Sequence, residues 1–346
     1  MAGGVGGAIR GSAPGDPSGL PDPRPVLSAI HGMAIAGLVD SALELRLFTE
    51  IASGADTFDV LRARLAVSER GLRIMLDALE SLGMLARSDG RLSVPPGYAP
   101  FLVEGSDLYL GDIWLVHQRN WWPIWSRVSE AVRDGRSISV AKADEIESDL
   151  WPRFVKPLSF RSYWLVPRLM DHLKLNGPRV LDVGCGSGII AHLILKADPA
   201  ARAVGVDWPA VIKVAEAQAV DFGVADRFEA TPGSFHEVHL GTGYDLIVLS
   251  NVCHSEGPES NRRLLRRCFD ACAPGGRVAI IESFPDDPAS AKGAPLLALM
   301  MLVYSNQGDA FPVATYHEWL EEAGFGAFEA LPVGLGYSAL LATRPA

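Results

Sequence analysis

A glycine-rich turn is the first group of residues in this sequence with the chemistry to hold a ligand. Gly184, Gly186 and Gly188 lie in the stretch VLDVGCGSGIIA, between an apolar run and a segment typical of a helix, and Asp182 precedes them. Glycines let the backbone turn tightly and approach a ligand closely. Because the spacing is G-x-G-x-G and no Walker lysine follows, the turn is typical of neither a dinucleotide site nor a triphosphate cradle.

A second carboxylate, Asp207, ends the next apolar run, 23 residues after Gly184. At the end of a strand in this position, a carboxylate can accept hydrogen bonds from both hydroxyls of a ribose. The structural alternative is an N-cap of the following helix. A third predicted strand ends at Gly233, Ser234 and Phe235, which could line an adenine. These strand ends therefore favour a ligand that contains a nucleoside.

A histidine, His254, follows the apolar run Leu246–Leu249 almost at once, and a helix-like segment begins soon after it. In open α/β sheets, ligands bind at the edge formed by the carboxyl ends of the strands. We therefore expect the imidazole of His254 at the same edge as the glycine turn. The structural alternative is a histidine hydrogen-bonded at the entrance of a helix.

The elements that position these residues alternate regularly from Arg179 onwards, strand after helix after strand. This alternation predicts a mostly parallel, doubly wound sheet. The closing stretch GAFEALPVGLGYSALLATR predicts a hairpin that adds an antiparallel strand at one side.

The first half of the chain has a different pattern. Residues 1–25 are rich in Gly and Pro and predict a disordered tail, and a helix is predicted from Val26 to about Leu43. Residues 55–105 predict a winged helix-turn-helix, with a helix over Ser68–Leu82 and a hairpin that turns at residues 88–90. That segment carries six Arg against seven Asp and Glu, so it builds no basic face for DNA, and a structural or dimer-forming role is favoured.

Residues 107–175 are helical in pattern and rich in tryptophan, and such aromatic stripes usually form core but can also wall an apolar pocket. Six of the eight tryptophans lie here: Trp114, Trp121, Trp122, Trp125, Trp151 and Trp164.

Composition limits the classes of function. A net charge of −10 argues against broad binding to nucleic acid or to an anionic membrane. No uncharged apolar run reaches 18 residues, so no membrane span is expected. Four cysteines in 346 residues form no disulfide framework, which favours reduced thiols and a cytoplasmic protein.

Taken together, these motifs resemble those of class I S-adenosylmethionine (SAM) methyltransferases, and more narrowly the two-domain small-molecule O-methyltransferases. That family includes plant caffeate-type enzymes, acetylserotonin methyltransferases and bacterial natural-product tailoring enzymes. VLDVGCGSG and GVDWPAVI resemble its SAM motifs, and the resemblance runs from about Val26 to the end. It implies a Rossmann-like sheet with a C-terminal antiparallel hairpin over residues 166–346. It also implies a mostly helical, winged-helix-like dimerisation domain over residues 26–165.

The resemblance assigns SAM as the cofactor. It places Gly184 against SAM and Asp207 on the ribose hydroxyls. Ser234 stands where many members have an Asp that meets the adenine amine, and Ser250 stands where a Lys is common. The complete set of expected cofactor-binding residues is Asp182, Gly184, Gly186, Gly188, Asp207, Trp208, Gly233, Ser234, Phe235 and Ser250.

The resemblance also assigns catalytic roles. The family's fourth strand commonly ends in a His–Asp–Trp segment whose histidine is the general base, and here His254 occupies that place. Such a base is typically worth about 10²–10⁴-fold in rate. Glu282 matches an acid that flanks the histidine. Near the family's second acid this chain has Ala310, with Asp309 beside it, so the expected catalytic set is His254, Glu282 and Asp309.

A small aromatic acceptor is expected between the aromatic helices and the stretch Met300–Asn306. The expected contacts are Trp114, Trp121, Phe160, Tyr163, Trp164, Met301 and Ser305. The expected partners are this acceptor and a second copy of the chain, bound through the N-terminal domain.

Several alternatives remain open from the sequence. Methyl transfer could go to carbon, on an aromatic ring or an α-keto acid, with a metal held by His254 and Glu282 together with His236, His239 or His317. No spacing demands such a site, so no metal is assigned, and His236 and His239 are interpreted as surface or packing residues. Arg262, Arg263, Arg266 and Arg267 are interpreted as a solvated helix face. The two other classes are an enzyme that binds SAM without methylating and a winged-helix regulator.

Overall fold

The computed structural model describes residues 22–116, 122–138 and 155–346. The predicted tail therefore lies almost wholly outside the described residues, as do Trp121 and Trp151. The chain forms two compact units, Met1–Glu104 and Gly105–Ala346.

This division at residue 104 separates compact units and does not test the predicted domain boundary at 165, which stays a prediction. Residues 125–138 bond to a helix of the second unit. The Ser137 hydroxyl donates to the Val303 carbonyl at 2.9 Å, and the Ile138 amide donates to the same oxygen at 3.3 Å. The Trp125 ring also meets the Tyr304 ring edge-on at 6.3 Å.

The first unit is helical with one small hairpin. Its elements are α1 (Arg24–Glu44), α2 (Leu47–Ala52), α3 (Phe58–Leu65), α4 (Glu69–Ser81), β1 (Ala86–Ser88), β2 (Arg91–Ser93) and α5 (Ala99–Leu102). Helix α4 begins where the Ser68 hydroxyl caps the Gly71 amide at 3.1 Å. The hairpin turns at Asp89 and Gly90, which both have positive φ as its two-residue turn requires.

Helix α1 is long and apolar enough, by length and composition alone, to pass a test for a membrane span, with a mean hydropathy of 1.6. We expected no membrane span because no uncharged apolar run reaches 18 residues. That criterion does not detect α1, which contains charged residues. Core helices of ordinary globular proteins pass the same test, so this one result is weak evidence for a span. Several of its large apolar side chains are exposed, including Ile30 and Met33 at 61% and 67%.

The second unit opens with short helices and then a longer one. These are α6 (Gly111–Val116), α7 (Trp122–Trp125), α8 (Val128–Asp134), a 3₁₀ turn (Ser159–Arg161) and α9 (Ser162–Leu173). The predicted alternation follows: β3 (Arg179–Val183), α10 (Ile189–Ala197), β4 (Arg202–Asp207), α11 (Pro209–Asp221), β5 (Phe228–Pro232) and β6 (Tyr244–Ser250). The chain then continues through a 3₁₀ turn (Cys253–Ser255), α12 (Pro258–Ala271), β7 (Cys272–Glu282), α13 (Ala294–Tyr304), α14 (Val313–Ala323), β8 (Gly326–Gly334) and β9 (Tyr337–Thr343).

The seven strands form one sheet in the order β5-β4-β3-β6-β7-β9-β8. All neighbours are parallel except β9, which is antiparallel to both β7 and β8. This confirms the predicted fold class, including the antiparallel hairpin. The strand order reverses direction between β3 and β6, and the carboxyl edge at such a reversal is where open α/β sheets bind ligands.

Both faces of the sheet are buried, which explains why its strands are continuous apolar runs. On one face the sheet packs against α12 and α14, through residues such as Leu264 and Trp319. On the other face it packs against α9 and α10, through residues such as Leu169 and Ile194. The two layers fix the positions of the strand ends, and therefore the geometry of the carboxyl edge.

Candidate active site

The glycine turn is tied to the end of β4. The amides of Gly184 and Cys185 both donate to the Val206 carbonyl, at 2.8 and 3.1 Å. Gly184 has φ +66, and a Cβ there would fall 2.6 Å from Cγ2 of Val252. The glycine turn therefore lies directly against the segment that follows β6.

Asp207 links the turn to the helix after β4. One oxygen of its carboxylate accepts from the Gly186 amide at 2.8 Å, and the other accepts from the Trp208 amide at 2.7 Å. Burial raises the pKa of Asp207, while these two bonds oppose the rise. Each oxygen keeps a second lone pair for a ribose hydroxyl. Asp207 is not the N-cap of this helix, because Trp208 holds that position and no side chain caps it. The structural alternative is therefore wrong, and the Asp207 carboxylate is left at the glycine turn, where it can take part in binding.

Asp182 lies beneath the turn and is 1% exposed. Burial raises the pKa of Asp182 to about 7, the Ala191 amide opposes the rise, and the charge of Asp207 adds to it. Its buried position makes Asp182 a support for the turn rather than a direct contact of a ligand.

The loop after β5 meets the same edge. Pro232 pairs with Asp207 in the sheet, and the Gly233 amide donates to the Asp207 carbonyl at 2.8 Å. The Ser234 hydroxyl accepts from the His236 amide at 3.3 Å, and Phe235 packs partly buried against the core. The structure thus brings together the glycine turn, Asp207 and the Gly233–Phe235 loop. These donors, acceptors and the apolar ring form a set that fits SAM.

His254 and Glu282 form a close pair at the ends of neighbouring strands. Nδ1 of His254 lies 2.7 Å from Oε2 of Glu282, and the His254 amide donates to Oε1 at 3.3 Å. Glu282 is 2% exposed, whereas the imidazole is 13% exposed. Because an ionised carboxylate only accepts, Nδ1 carries the proton, and in neutral imidazole Nε2 is left as the proton acceptor.

The turn that carries His254 is held by several bonds. Asn251 takes a left-handed conformation, φ +57, and its amide donates to the Ile281 carbonyl at 3.1 Å. The buried Asn261 side chain donates to the Cys253 carbonyl at 3.0 Å. Asparagine tolerates this backbone conformation better than most residues, so the chain can turn sharply from β6 to His254.

Asp309 contacts the histidine through its backbone. Its amide donates to the His254 carbonyl at 2.9 Å, while its carboxylate accepts from the Ala310 amide at 2.8 Å. The described residues thus give the imidazole one bonded carboxylate, that of Glu282. In this geometry Asp309 supports the turn and does not bond to the ring.

The residues expected to contact an acceptor fall into different surroundings. Ser305 donates to the Ser255 carbonyl at 3.0 Å, which ties the end of α13 to the catalytic turn. Met301 is buried on the same helix, and Trp114 is half-buried. The Phe160 and Trp164 rings meet edge-on at 6.5 Å, whereas Tyr163 packs against the core below them. Ser250, which was expected to bind the cofactor and not the acceptor, is half-buried, and its hydroxyl accepts a hydrogen bond from the Asn251 side chain at 3.2 Å.

Sequence reasoning missed a cluster beside the site. Nε2 of His236 lies 3.0 Å from the Glu256 carboxylate and 3.1 Å from the Ser260 hydroxyl, which itself donates to Glu256. Arg267 donates to the carbonyls of His236 and Val238. Arg267 is therefore not part of a solvated face, because its guanidinium reaches across to the loop after β5. The sequence offered one indication of this cluster: His236 and Glu256 each follow the end of a predicted strand.

The histidines proposed as extra metal ligands lie apart. The His317 ring stacks on Phe328 at 4.6 Å, and Nδ1 of His239 accepts from the Gly241 amide. Within the described ranges, no three His, Cys, Asp or Glu side chains are grouped to hold a metal ion.

Comparisons with known proteins agree with this geometry. A family profile described as an O-methyltransferase domain matches residues 125–326. The chain is 30% identical over 319 residues to the 3-hydroxy-5-methyl-1-naphthoate 3-O-methyltransferase of Streptomyces sahachiroi, covering 91% of this chain and 92% of that one. It is 26% identical to the L-tyrosine C(3)-methyltransferase of Streptomyces lavendulae, covering 93% and 90%.

Among solved structures, human N-acetylserotonin methyltransferase in complex with SAM superposes with a TM-score of 0.82 at 23% identity, covering 95% of this chain and 99% of that one. This shows a shared fold. The matched profile and the relative at 30% identity go further: the chain belongs to the family of SAM-dependent O-methyltransferases.

Proposed function

We propose that this enzyme methylates a hydroxyl oxygen of a small aromatic natural product, with His254 as the general base and Glu282 as the residue that orients it. The observation that carries the proposal is the 2.7 Å contact between Nδ1 of His254 and the buried carboxylate of Glu282. It fixes the tautomer in which Nε2 accepts a proton.

In the proposed reaction, Nε2 of His254 takes the proton of the acceptor hydroxyl while that oxygen forms its bond to the methyl carbon. The negative charge of Glu282 stabilises the imidazolium that results. SAM, when bound, supplies a methyl group on a sulfonium cation. Gly184, Gly186 and Asp207 are proposed to hold it, and the apolar side chains of α13 exclude water from the reacting atoms.

Relatives support an aromatic acceptor and define the main alternative. One relative is named for methylation of a hydroxyl on a naphthoate, and another for methylation of a ring carbon of tyrosine. Carbon methylation is therefore the second candidate. In that reaction a ring carbon of the acceptor, and not its oxygen, would face the methyl group. Loss of the phenol proton to His254 would activate that carbon.

We further propose that the first unit is a winged-helix-like dimerisation domain. Its helices and β1–β2 hairpin have that order, and α1 presents Val26, Ile30 and Met33 as exposed apolar residues at helical spacing. A second copy of the chain would cover them. The four buried free thiols support the proposal that the enzyme works in the cytoplasm.

The proposed chemistry is tested with SAM that carries a carbon-13 methyl group. The wild type, His254→Ala and the control His239→Ala, at an exposed histidine, are incubated with a panel of phenols and aromatic keto acids. We expect a methoxy carbon signal that is about 10²–10⁴-fold slower to appear with His254→Ala and unchanged with His239→Ala. A C-methyl signal would show that the acceptor atom is carbon and not oxygen. Equal rates in all three proteins would show that His254 is not the base.

A further inference from the structure

A half-buried arginine beside the proposed active site has no anionic partner among the described residues. Cζ of Arg161 lies 4.9 Å from the centroid of the Phe160 ring and 5.1 Å from that of Tyr337. No carboxylate oxygen of the described chain lies within 4.0 Å of its guanidinium. Three further half-buried arginines, Arg227, Arg267 and Arg344, each donate to backbone carbonyls. Arg161 is thus fixed by two aromatic rings while its hydrogen-bond donors remain available.

The position of Arg161 connects it to the catalytic pair. It ends the 3₁₀ turn before α9, and Tyr337 begins β9, next to Ser338, which pairs with Glu282 in the sheet. Burial raises the pKa of Tyr337, the charge of Arg161 opposes the rise, and the charge of Glu282 adds to it. The guanidinium, the Tyr337 ring and the catalytic carboxylate therefore share one electrostatic environment.

The 3₁₀ turn of Arg161 meets the glycine turn at its first residue, where the Ser159 and Ser187 hydroxyls lie 2.5 Å apart, whereas Arg161, at its last residue, lies against Tyr337. The glycine turn follows β3 and Asp207 ends β4, whereas Tyr337 begins β9, which is three strands from β3. At about 4.8 Å per strand this separation is about 14 Å. The side chain of Arg161 therefore reaches away from the glycine turn, towards the side of the site where Glu282 lies.

From this geometry we propose that Arg161 binds a carboxylate of the acceptor, so that the substrate is a hydroxy-substituted aromatic acid. The inference rests on the proposed function, because it takes His254 as the base. His254 follows β6, and β6 lies two strands from β9, which is about 10 Å across the sheet, so we expect a similar separation between the two groups of the acceptor. One ring, or two fused rings, spans that distance.

Phe160 and Tyr337 contribute to the same role. Their faces hold the guanidinium by cation–π contacts without using its N–H donors. An arginine fork held in this way can bind a carboxylate through two parallel hydrogen bonds, a geometry that lysine lacks. Loss of one charge-assisted contact of this kind lowers affinity by about ten- to a hundredfold.

The test uses matched pairs of probes: 4-hydroxybenzoate and 6-hydroxy-2-naphthoate, each against its neutral carboxamide. Two quantities are measured, kcat/KM with labelled SAM and equilibrium binding to the complex with S-adenosylhomocysteine. In the wild type we expect the acid of at least one pair to be preferred by about tenfold or more. Arg161→Met should abolish that preference, and Arg161→Lys should restore part of it. Arg168→Met is the control and should keep the preference, because Arg168, on α9, donates to the Val333 carbonyl.

Two results would overturn the proposal. One is a wild type that binds no acid better than its amide. The other is an Arg161→Met variant that weakens SAM itself and lowers activity on acids and amides equally, which would make the methionine carboxylate the partner. If acids bind preferentially but no probe is methylated, the proposed function fails and the carboxylate site stands.

Discussion

Glu282 holds His254 through two different bonds. The bond to the backbone amide fixes where the turn lies, and the bond to Nδ1 fixes the ring and its tautomer. Both come from one carboxylate that is almost completely buried. The side chain of Asp309, the other candidate acid, is bonded to its own neighbour, so Glu282 alone among the described residues supplies charge to the imidazole.

For the pair itself, we predict that Glu282→Gln lowers kcat by about 10²–10⁴-fold while the KM for SAM changes little. The amide retains the size of the side chain but loses the charge that stabilises the imidazolium, and it can present a donor to Nδ1. Steady-state kinetics with each substrate varied in turn provide the measurement. A kcat close to that of the wild type would mean that the carboxylate only supports the turn.

His192 is a buried histidine without a hydrogen-bond partner for either ring nitrogen among the described residues. Its ring lies against Phe228 and Phe222, and burial lowers the pKa of His192 from 6.5 to about 4. The unfolded chain therefore takes up a proton between these values that the folded chain does not. The contribution of neutral His192 to the free energy of unfolding is therefore complete above about pH 6.5. It decreases by about 3 kcal/mol in all as the pH falls towards 4.

We predict that His192→Leu removes this acid sensitivity. The free energy of unfolding of the variant, from urea titrations at pH 7 and pH 4.5, should fall less between the two conditions than that of the wild type. His239→Leu, at an exposed site, is the control and should behave as the wild type does. Asp182 acts in the opposite direction, because its raised pKa of about 7 makes its contribution decrease as pH rises from about 4 to 7. An unchanged pH dependence in His192→Leu would show that the ring is protonated in the folded state.

At the scale of elements, α12 joins the two halves of the active site. Its residue Asn261 bonds to the turn that carries His254, and Arg267, almost two turns later, bonds to the loop after β5. The cluster of His236, Glu256 and Ser260 connects the same two segments. A shift of α12 would therefore move the cofactor side and the catalytic side together.

Arg267→Met should release the loop of residues 233–238 and weaken SAM binding by about tenfold, with a smaller change in kcat. Two backbone carbonyls lose their donor, and the loop expected to line the adenine becomes less ordered. Isothermal titration calorimetry with SAM measures the affinity. Arg266→Met is the control, because Arg266 pairs with Asp270 and donates to the Ala323 carbonyl but does not bond to the loop of residues 233–238, so this variant should bind SAM as the wild type does. An unaltered affinity in Arg267→Met would contradict the role given to α12.

The elements were predictable from the sequence for a simple physical reason. Parallel strands buried on both faces are continuous apolar runs, and the helices between them have regular apolar spacing, so both are recognised locally. The fold class was predicted correctly on this basis, and the family and the SAM cofactor were predicted correctly from the resemblance of two short motifs. The partners of His236 and Arg267 were not, because those contacts join segments about 20 to 30 residues apart and depend on how the helices pack. The bonds from Ser137 and Ile138 to α13 were not predicted either, since they join positions more than a hundred residues apart.

At the scale of the whole molecule, the exposed apolar face of α1 needs a covering surface. We predict that the wild type is a dimer in solution and that the double variant Ile30→Glu, Met33→Glu is mainly monomeric, because two carboxylates would be buried in the interface. Sedimentation or light scattering measures the mass directly. Val220→Glu, at an exposed apolar residue of the second unit, is the control. If the wild type is a monomer, the proposed dimer is wrong. If the double variant remains a dimer, the interface does not include Ile30 and Met33.

The position of β9 has a consequence for how the protein is made. The last strand of the chain does not lie at the edge of the sheet but between β7 and β8, with hydrogen bonds to both. During synthesis from the N-terminus, β7 emerges with one side unpaired and stays so until β9 has followed it. Open strand edges promote association between chains. We therefore expect the nascent chain to be most dependent on chaperones between synthesis of β7 and synthesis of β9, and the environment around Glu282 to be completed only in the final step of folding.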